Sequence, residues 1–184
     1  IYSNPKTGKS TFAEALVKRF GGTILDYDRN RVAKEIVGPV VVVDTLTSLS
    51  TSVLDKTLAK QGVEVLGDVS WGRGKQYFAK AVRAVLGNFM DPDWLTIVLA
   101  HKFPGQEMTL PYLPTGFEEY ILVKTDATIL YKKDTGGKRK FVFTSNSPTV
   151  EAGCRDNLFA EAEVTVQGMD GDSAVEAFLS AVAE

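Results

Sequence analysis

The residues with the clearest chemical potential form a short segment near the start of the printed chain. It reads Asn4-Pro5-Lys6-Thr7-Gly8-Lys9-Ser10-Thr11, between an apolar strand end and a helical pattern. A Gly-Lys-Ser sequence in this position is typical of a phosphate-binding loop, whose backbone N–H groups surround phosphate oxygens at a helix start. Ser3 stands where the motif usually has its first glycine, and it fits there if its φ stays negative. We therefore expect these residues to bind a nucleoside triphosphate.

Each residue type in the segment suits that chemistry. Gly8 would let the backbone approach closely, and Lys9 would supply the cation for the β- and γ-phosphates. The Ser10 hydroxyl would bind Mg²⁺, and Thr11 would reach the α-phosphate. The alternative is a chance Gly-Lys-Ser-Thr sequence in a helix cap.

Acidic residues end two of the predicted strands. Asp44 follows the β-branched run Val40 to Val43, and we expect it to hold Mg²⁺ together with Ser10, because hard cations take oxygen ligands. Asp26 and Asp28 follow another apolar run and, if both lie on one strand, point the same way. Asp28 is the predicted base that activates water, and solvated turn residues are the alternative.

His101 is the only histidine and follows the apolar run Leu95 to Ala100. A polar side chain at a strand end could sense the γ-phosphate and pass its state to the following loop, although a structural histidine explains the pattern equally well. The lone Cys154 excludes an internal disulfide and suits a reducing compartment.

The elements that must position these residues alternate early in the chain and become strand-rich later. Helices are predicted over 10–20 and 76–90, and a last helix opens at Ser173 with Glu176 as a capping box. Strands are predicted over 23–25, 40–43, 95–100, 120–145 and 163–167, with a hairpin around 134–137. This order predicts an α/β three-layer sandwich whose mainly parallel sheet is extended by antiparallel strands.

Composition limits the class of protein. The 184 residues, of which 44% are hydrophobic and 24% charged, suit a single globular domain over 1–184. Because the first motif comes so early, we expect that some residues of this domain precede Ile1. No apolar run approaches the ~18 residues that span a bilayer, so we expect a cytoplasmic protein without membrane contact. A net charge of −2 means that any nucleic-acid contact must use local basic patches.

The order of the motifs resembles that of phage RecA-like ATPases. Gly8-Lys9-Ser10-Thr11 is followed by Ile24-Leu25-Asp26-Tyr27-Asp28, then by Val43-Asp44-Thr45-Leu46-Thr47-Ser48-Leu49, and then by Leu99-Ala100-His101-Lys102. More narrowly, the chain is similar to the phage nucleotide-binding proteins that include Sak-type single-strand annealing ATPases. The segment 150–156 weakly resembles a Lys-Asp-Arg segment that lies late in the sequences of this family.

The resemblance implies a RecA-like fold and an ATPase that uses ATP and Mg²⁺ in phage homologous recombination, in the bacterial host's cytoplasm. It places the family's catalytic glutamate on Asp28, its magnesium aspartate on Asp44 and its polar sensor on His101. It also implies single-stranded DNA as a partner, self-association into a ring or filament, and a single-strand binding protein as a further partner.

Two loops correspond to the DNA-binding positions that the resemblance implies. Arg73 and Lys75 lie beside Trp71, and Lys102 begins the Pro- and Gly-rich segment 102–116. Cations beside aromatic rings suit single strands, because they meet phosphates while the rings stack on bases; a mobile surface loop is the alternative. The basic hairpin 132–140 is predicted either to reach a neighbouring subunit's nucleotide or to form a charged sheet edge.

Two other functions stay open on the sequence. In a P-loop small-molecule kinase, Asp26 and Asp28 would bind and activate an acceptor hydroxyl. A nucleotide-binding module without turnover would explain both the replaced first glycine at Ser3 and the shorter acid at Asp28.

Overall fold

The computed structural model describes residues 1–89, 93–102 and 124–183. Its strands are β1 (Tyr2–Ser3), β2 (Gly22–Asp26), β3 (Val40–Asp44), β4 (Leu95–His101), β5 (Ala127–Thr128), β6 (Leu130–Lys133), β7 (Arg139–Val142), β8 (Gly153–Cys154) and β9 (Glu163–Thr165). Its helices are α1 (Lys9–Phe20), α2 (Leu46–Gln61), α3 (Gly74–Gly87) and α4 (Gly171–Leu179). Two short 3₁₀ turns, Leu66–Asp68 and Ser70–Gly72, precede α3.

Within the described residues, seven strands form one sheet in the order β2-β3-β4-β1-β6-β7-β9. The first five strands run parallel to one another, while β7 pairs antiparallel with both β6 and β9. All five residues of β3 are buried, as expected for a central parallel strand covered on both faces. The predicted α/β class, with a mainly parallel sheet and antiparallel extension, is confirmed.

Helices cover both faces of the sheet. Val40 and Val42 pack in the core beneath α1 and α4, whereas Val41 and Val43 pack in the core beneath α2 and α3. This division follows from the alternation of side chains along a strand. The arrangement is compatible with the predicted three-layer sandwich.

Three of the sequence-based predictions need correction. Helix α2 is absent from the elements that the sequence pattern predicts. The last helix begins at Gly171, because the Asp170 side chain accepts a hydrogen bond from the Ser173 N–H and caps it; Ser173 is not the cap. The helix predicted over 76–90 begins at Gly74, and its predicted end at Met90 lies outside the described residues, as do 120–123 of the predicted strand region.

The carboxyl ends of β1, β3 and β4 lie side by side at one edge of the sheet. Ser3 pairs in register with His101, and Asp44 pairs with Leu99. Helix α1 leaves β1 on one face while α2 leaves β3 on the other, so the edge opens between them in the manner of a ligand-binding crevice in open α/β sheets. No helix in the described part of the chain is long and apolar enough to cross a bilayer.

Candidate functional site

The loop between β1 and α1 is held by its own side chains. Lys9 is buried, and its Nζ donates a 2.9 Å hydrogen bond to Ser3 Oγ, which itself donates to the Asn4 carbonyl. Thr7 Oγ1 donates to the same carbonyl at 2.8 Å. Ser3 lies in a strand and is not among the residues with positive φ, so serine is tolerated there as predicted.

Gly8 ends the loop and caps α1. Its φ of 103° lies in the region that favours glycine, which explains the residue type at this position. Asn4, Pro5 and Lys6 are exposed in front of the helix start, and Thr11 is exposed in its first turn. The predicted phosphate-binding segment is therefore accessible at the amino end of α1, where the helix dipole favours an anion.

Ser10 and Asp44 meet at this edge of the sheet. Ser10 Oγ donates a 2.6 Å hydrogen bond to Asp44 Oδ2, while Asp44 Oδ1 is buried and has no hydrogen-bond partner among the described residues. Burial raises the pKa of Asp44, and the Ser10 hydrogen bond partly offsets that effect. A buried carboxylate oxygen without a partner beside a hydroxyl suits Mg²⁺, which binds through one or two protein oxygens together with phosphates and water.

Asp28 reaches the site from a turn, which corrects the expectation that it lies on a strand beside Asp26. Its Oδ1 accepts hydrogen bonds from Thr45 Oγ1 at 2.9 Å and from Ser48 Oγ, both at the amino end of α2. Asp26, the last residue of β2, instead accepts from the Arg29 N–H at 2.9 Å. In the kinase alternative Asp26 and Asp28 act together on an acceptor hydroxyl. In the structure their carboxylates accept hydrogen bonds from different partners.

His101 lies beside Asp28 at the end of β4. Its Nε2 is 3.9 Å from Asp28 Oδ2. Burial and the neighbouring Lys9 charge lower the pKa of His101 below its usual 6.5, although Asp28 and Asp44 act in the opposite direction. The lowered pKa favours the neutral imidazole, whose contact with Asp28 is polar rather than ionic.

Lys9 carries the positive charge of this cluster. Burial lowers the pKa of Lys9, and the Asp44 and Asp28 carboxylates counteract that shift. The ammonium group of Lys9 is bonded to a neutral serine hydroxyl, and a hydrogen bond to an anion would be stronger. An anionic ligand can therefore replace the serine as its partner. The site can therefore bind a polyanion through Lys9 and the helix start, and a divalent cation through Ser10 and Asp44.

Arg139 is a site residue that the sequence pattern assigns only to a basic hairpin. It is buried behind the loop, where its Nη2 donates to the carbonyls of Gly168 at 3.0 Å and Asp170 at 3.2 Å. A Cβ on Gly8 would lie 2.9 Å from its Nη1. Within the described residues its Nε has no hydrogen-bond partner, and it makes no salt bridge to a carboxylate.

The side chain of Arg139 thus contacts its own chain's loop, which corrects the expectation of an exposed hairpin cation. One sequence signal could have found it. Arg139 and Phe141 lie two residues apart on β7, so the arginine shares the inward face of a buried phenylalanine.

The predicted DNA-binding residues Arg73 and Lys75 take part in none of the hydrogen bonds described above. Arg73 and Lys75 are exposed at the start of α3, next to Trp71, whose side chain is 90% exposed. Lys102 is nearer, because its N–H donates to the Ser3 carbonyl at 2.7 Å. The remainder of the second predicted DNA loop, 103–116, lies outside the described residues.

The chain was compared with known proteins in three ways. No protein-family model matches it, and neither the curated proteins nor the solved structures contain a match. Within the described residues, no three His, Cys, Asp or Glu side chains cluster as a metal site.

Proposed function

We propose that this chain is a RecA-like P-loop ATPase that binds ATP with Mg²⁺ and acts on single-stranded DNA in phage homologous recombination. The observation that carries the proposal is the 2.6 Å hydrogen bond between Ser10 and Asp44, with Lys9 buried beside them. It joins the loop hydroxyl to a strand-end carboxylate, the pair of oxygens that a nucleotide-bound magnesium ion needs.

Convergence of separate segments supports the ATPase class. The resemblance assigns roles to Lys9, Asp28, Asp44 and His101, which come from four different parts of the sequence. Asp28 and His101 lie 3.9 Å apart, and Lys9 acts electrostatically on both Asp44 and His101. A chance Gly-Lys-Ser sequence in a helix cap would not bring these side chains together.

Each residue has a physical task in this proposal. Lys9 exchanges Ser3 for the β- and γ-phosphates, and the N–H groups around Gly8 bind phosphate oxygens. Ser10 and Asp44 would hold Mg²⁺, which when bound neutralises phosphate charge. Asp28 accepts a proton from the attacking water through Oδ2, because its Oδ1 is engaged by Thr45 and Ser48. His101 contacts Asp28 and responds to the charge around it.

The recombination part rests on the resemblance and on exposed side chains. Trp71, Arg73 and Lys75 are exposed and belong to the segment that the resemblance matches to a DNA-binding loop, and Lys102 begins the second such segment. Self-association into a ring or filament, and cooperation with a single-strand binding protein, belong to the same proposal.

ATP turnover with and without single-stranded DNA tests the proposal. Wild type is compared with Lys9→Ala, Asp28→Asn and the control Lys18→Ala, an exposed lysine on α1. We expect DNA to raise turnover, Lys9→Ala to lose nucleotide binding, and Asp28→Asn to keep binding while turnover falls about 100-fold or more.

Other outcomes point to the other functions. Tight Mg²⁺-ATP binding by wild type without turnover under any condition would identify a nucleotide-binding module. Phosphate transfer to a small hydroxyl compound, with no response to DNA, would identify a kinase. Absence of ATP binding by wild type would contradict the proposal altogether.

A further inference from the structure

A groove lies between helices α2 and α3, on the face of the sheet away from α1. Its volume is about 650 Å³, within the ~300–1,000 Å³ typical of ligand sites. Buried Leu49 and Val53 of α2 form part of its floor, while α3 contributes Ala81 and Ala84. These alanine side chains are too short to fill the space, which leaves the groove open between the two helices.

The groove is positively charged although the chain as a whole is not. Lys56 and Lys60 lie one helical turn apart on α2, and Lys80 lies on α3. All three are exposed, and none pairs with a carboxylate in the described part of the chain. No acidic residue lines this groove among the described residues. It is therefore a local basic patch of the kind that a polyanion needs on a protein of net charge −2.

Aromatic side chains extend the basic patch. Tyr77, 40% exposed, lines both the groove and an adjoining concavity of about 250 Å³. That concavity adds Trp71 and Arg73, together with one carboxylate, Asp68. Cations and aromatic faces therefore line two adjoining concavities that share Tyr77. An extended chain of phosphates and flat bases matches this combination, since phosphates meet the cations and each base offers a face for stacking.

We propose that the groove between α2 and α3 binds single-stranded DNA, with Lys56, Lys60 and Lys80 contacting phosphates and with Tyr77 and Trp71 stacking on bases. The inference rests on the proposed function for its choice of polymer and extends the DNA contact from Arg73 to the whole groove. An acidic polypeptide would satisfy the lysines but would leave the aromatic faces without a matching partner.

The near end of the groove adjoins the nucleotide site. Tyr27 lines the groove, and its backbone N–H donates a 2.6 Å hydrogen bond to the Asp44 carbonyl. The next residue is Asp28, the proposed base. Single-stranded DNA in the groove thus contacts the segment that positions the carboxylates of Asp28 and Asp44. We therefore expect DNA to change the affinity for the nucleotide, and the nucleotide to change the affinity for DNA by the same factor.

Binding of fluorescein-labelled oligo(dT), followed by anisotropy from about 50 to about 200 mM salt, tests the proposal. The groove variant Lys56→Ala/Lys60→Ala/Lys80→Ala is compared with Lys18→Ala/Lys34→Ala/Lys133→Ala, three exposed lysines outside the groove. Since each single-strand phosphate contact adds about 0.7 to the salt slope, the groove variant should lose about 2 and the control variant far less. Tyr77→Ala should weaken binding about fivefold or more.

Wild-type affinity and salt slope in the groove variant would overturn the proposal. A second pair of results would also overturn it: polyglutamate competes as well as unlabelled oligo(dT), and Tyr77→Ala keeps wild-type affinity. The groove would then fit an acidic polypeptide. ATP binding by the same proteins separates the two proposals. A wild type that binds oligo(dT) through the groove but binds no ATP contradicts the ATPase and supports the groove.

Discussion

Ser10 and Asp44 lie on different elements and meet through a 2.6 Å hydrogen bond from the serine hydroxyl to Asp44 Oδ2. Because the second carboxylate oxygen is buried without a partner among the described residues, this contact leaves one oxygen available for a cation. The pair therefore gives the first prediction.

Asp44→Asn should weaken Mg²⁺-dependent ATP binding at least about tenfold, since even residues that only orient metal ligands contribute 10- to 100-fold. The same change should stabilise the ligand-free protein at neutral pH. Burial raises the pKa of Asp44, so its charge destabilises the folded state as pH rises through that pKa. Calorimetric titration measures the first effect and thermal unfolding the second; a less stable Asp44→Asn protein would contradict the burial argument.

Gly8→Ala should destabilise the protein more than Gly62→Ala. Both glycines have positive φ, 103° and 65°, but a Cβ at Gly62 meets nothing within 4 Å, whereas one at Gly8 meets the buried Arg139. Left-handed strain costs roughly 1–2 kcal/mol at either site. The contact with Arg139 adds to it at Gly8, because the guanidinium is held by two carbonyls. Urea unfolding of both variants gives the comparison, and equal losses would show that Arg139 moves aside freely.

Arg139→Met should lower ATP affinity about tenfold, because the buried positive charge behind the loop is lost and Gly168 and Asp170 lose their donor. The matched control is Lys138→Met, an exposed hairpin cation beside it in sequence. Turnover of Lys138→Met is also measured over a range of protein concentrations. A loss of turnover that occurs only where the protein assembles would show that the hairpin acts across a subunit boundary.

His101 gives a direct test of the electrostatics, because it is the only histidine and contributes one set of imidazole signals in an NMR titration. The midpoint should fall below 6.5. Asp28→Asn should lower it further, since the removed carboxylate favours the charged ring. A depressed pKa also means that stability decreases as pH falls from 6.5 through the folded-state pKa. A midpoint at or above 6.5 would contradict the burial of the ring.

Asp170→Ala should lower the stability of the protein, because α4 loses its N-cap, and Ser173→Ala should lower it less. The Asp170 side chain accepts from the Ser173 N–H at 2.7 Å, and the Ser173 hydroxyl only supports that carboxylate at 3.0 Å. Thermal unfolding of the two variants ranks them. The opposite ranking would restore Ser173 as the start of α4.

The sequence predicted local features better than distant contacts. The loop, its helix and the hairpin around 134–137 depend on neighbouring residues, and each was found. Helix α2 was missed because serine and threonine are weak helix formers. In the structure Ser50 and Thr57 satisfy their hydroxyls on carbonyls of the preceding turn, at 2.6 and 2.7 Å, which lets a polar sequence stay helical and buried.

The sequence predicts most of the residues that lie together at the candidate site, but it predicts only part of their geometry. The locations of Asp44 and His101 can be predicted because both residues end strands, and the carboxyl ends of parallel strands meet at one edge of the sheet. Asp28 arrives through a turn tied to Thr45 and Ser48, and this depends on where α2 begins. The position of Arg139 behind Gly8 depends on the pairing of β6 with β1, which no local pattern encodes.

The hydrogen bonds of Arg139 also set an order on biosynthesis. Residues 4–11 are synthesised well before Gly168 and Asp170, whose carbonyls hold the arginine behind Gly8. A nascent chain that stops before Gly168 therefore contains the complete predicted phosphate-binding segment but lacks the contacts that hold Arg139 behind it.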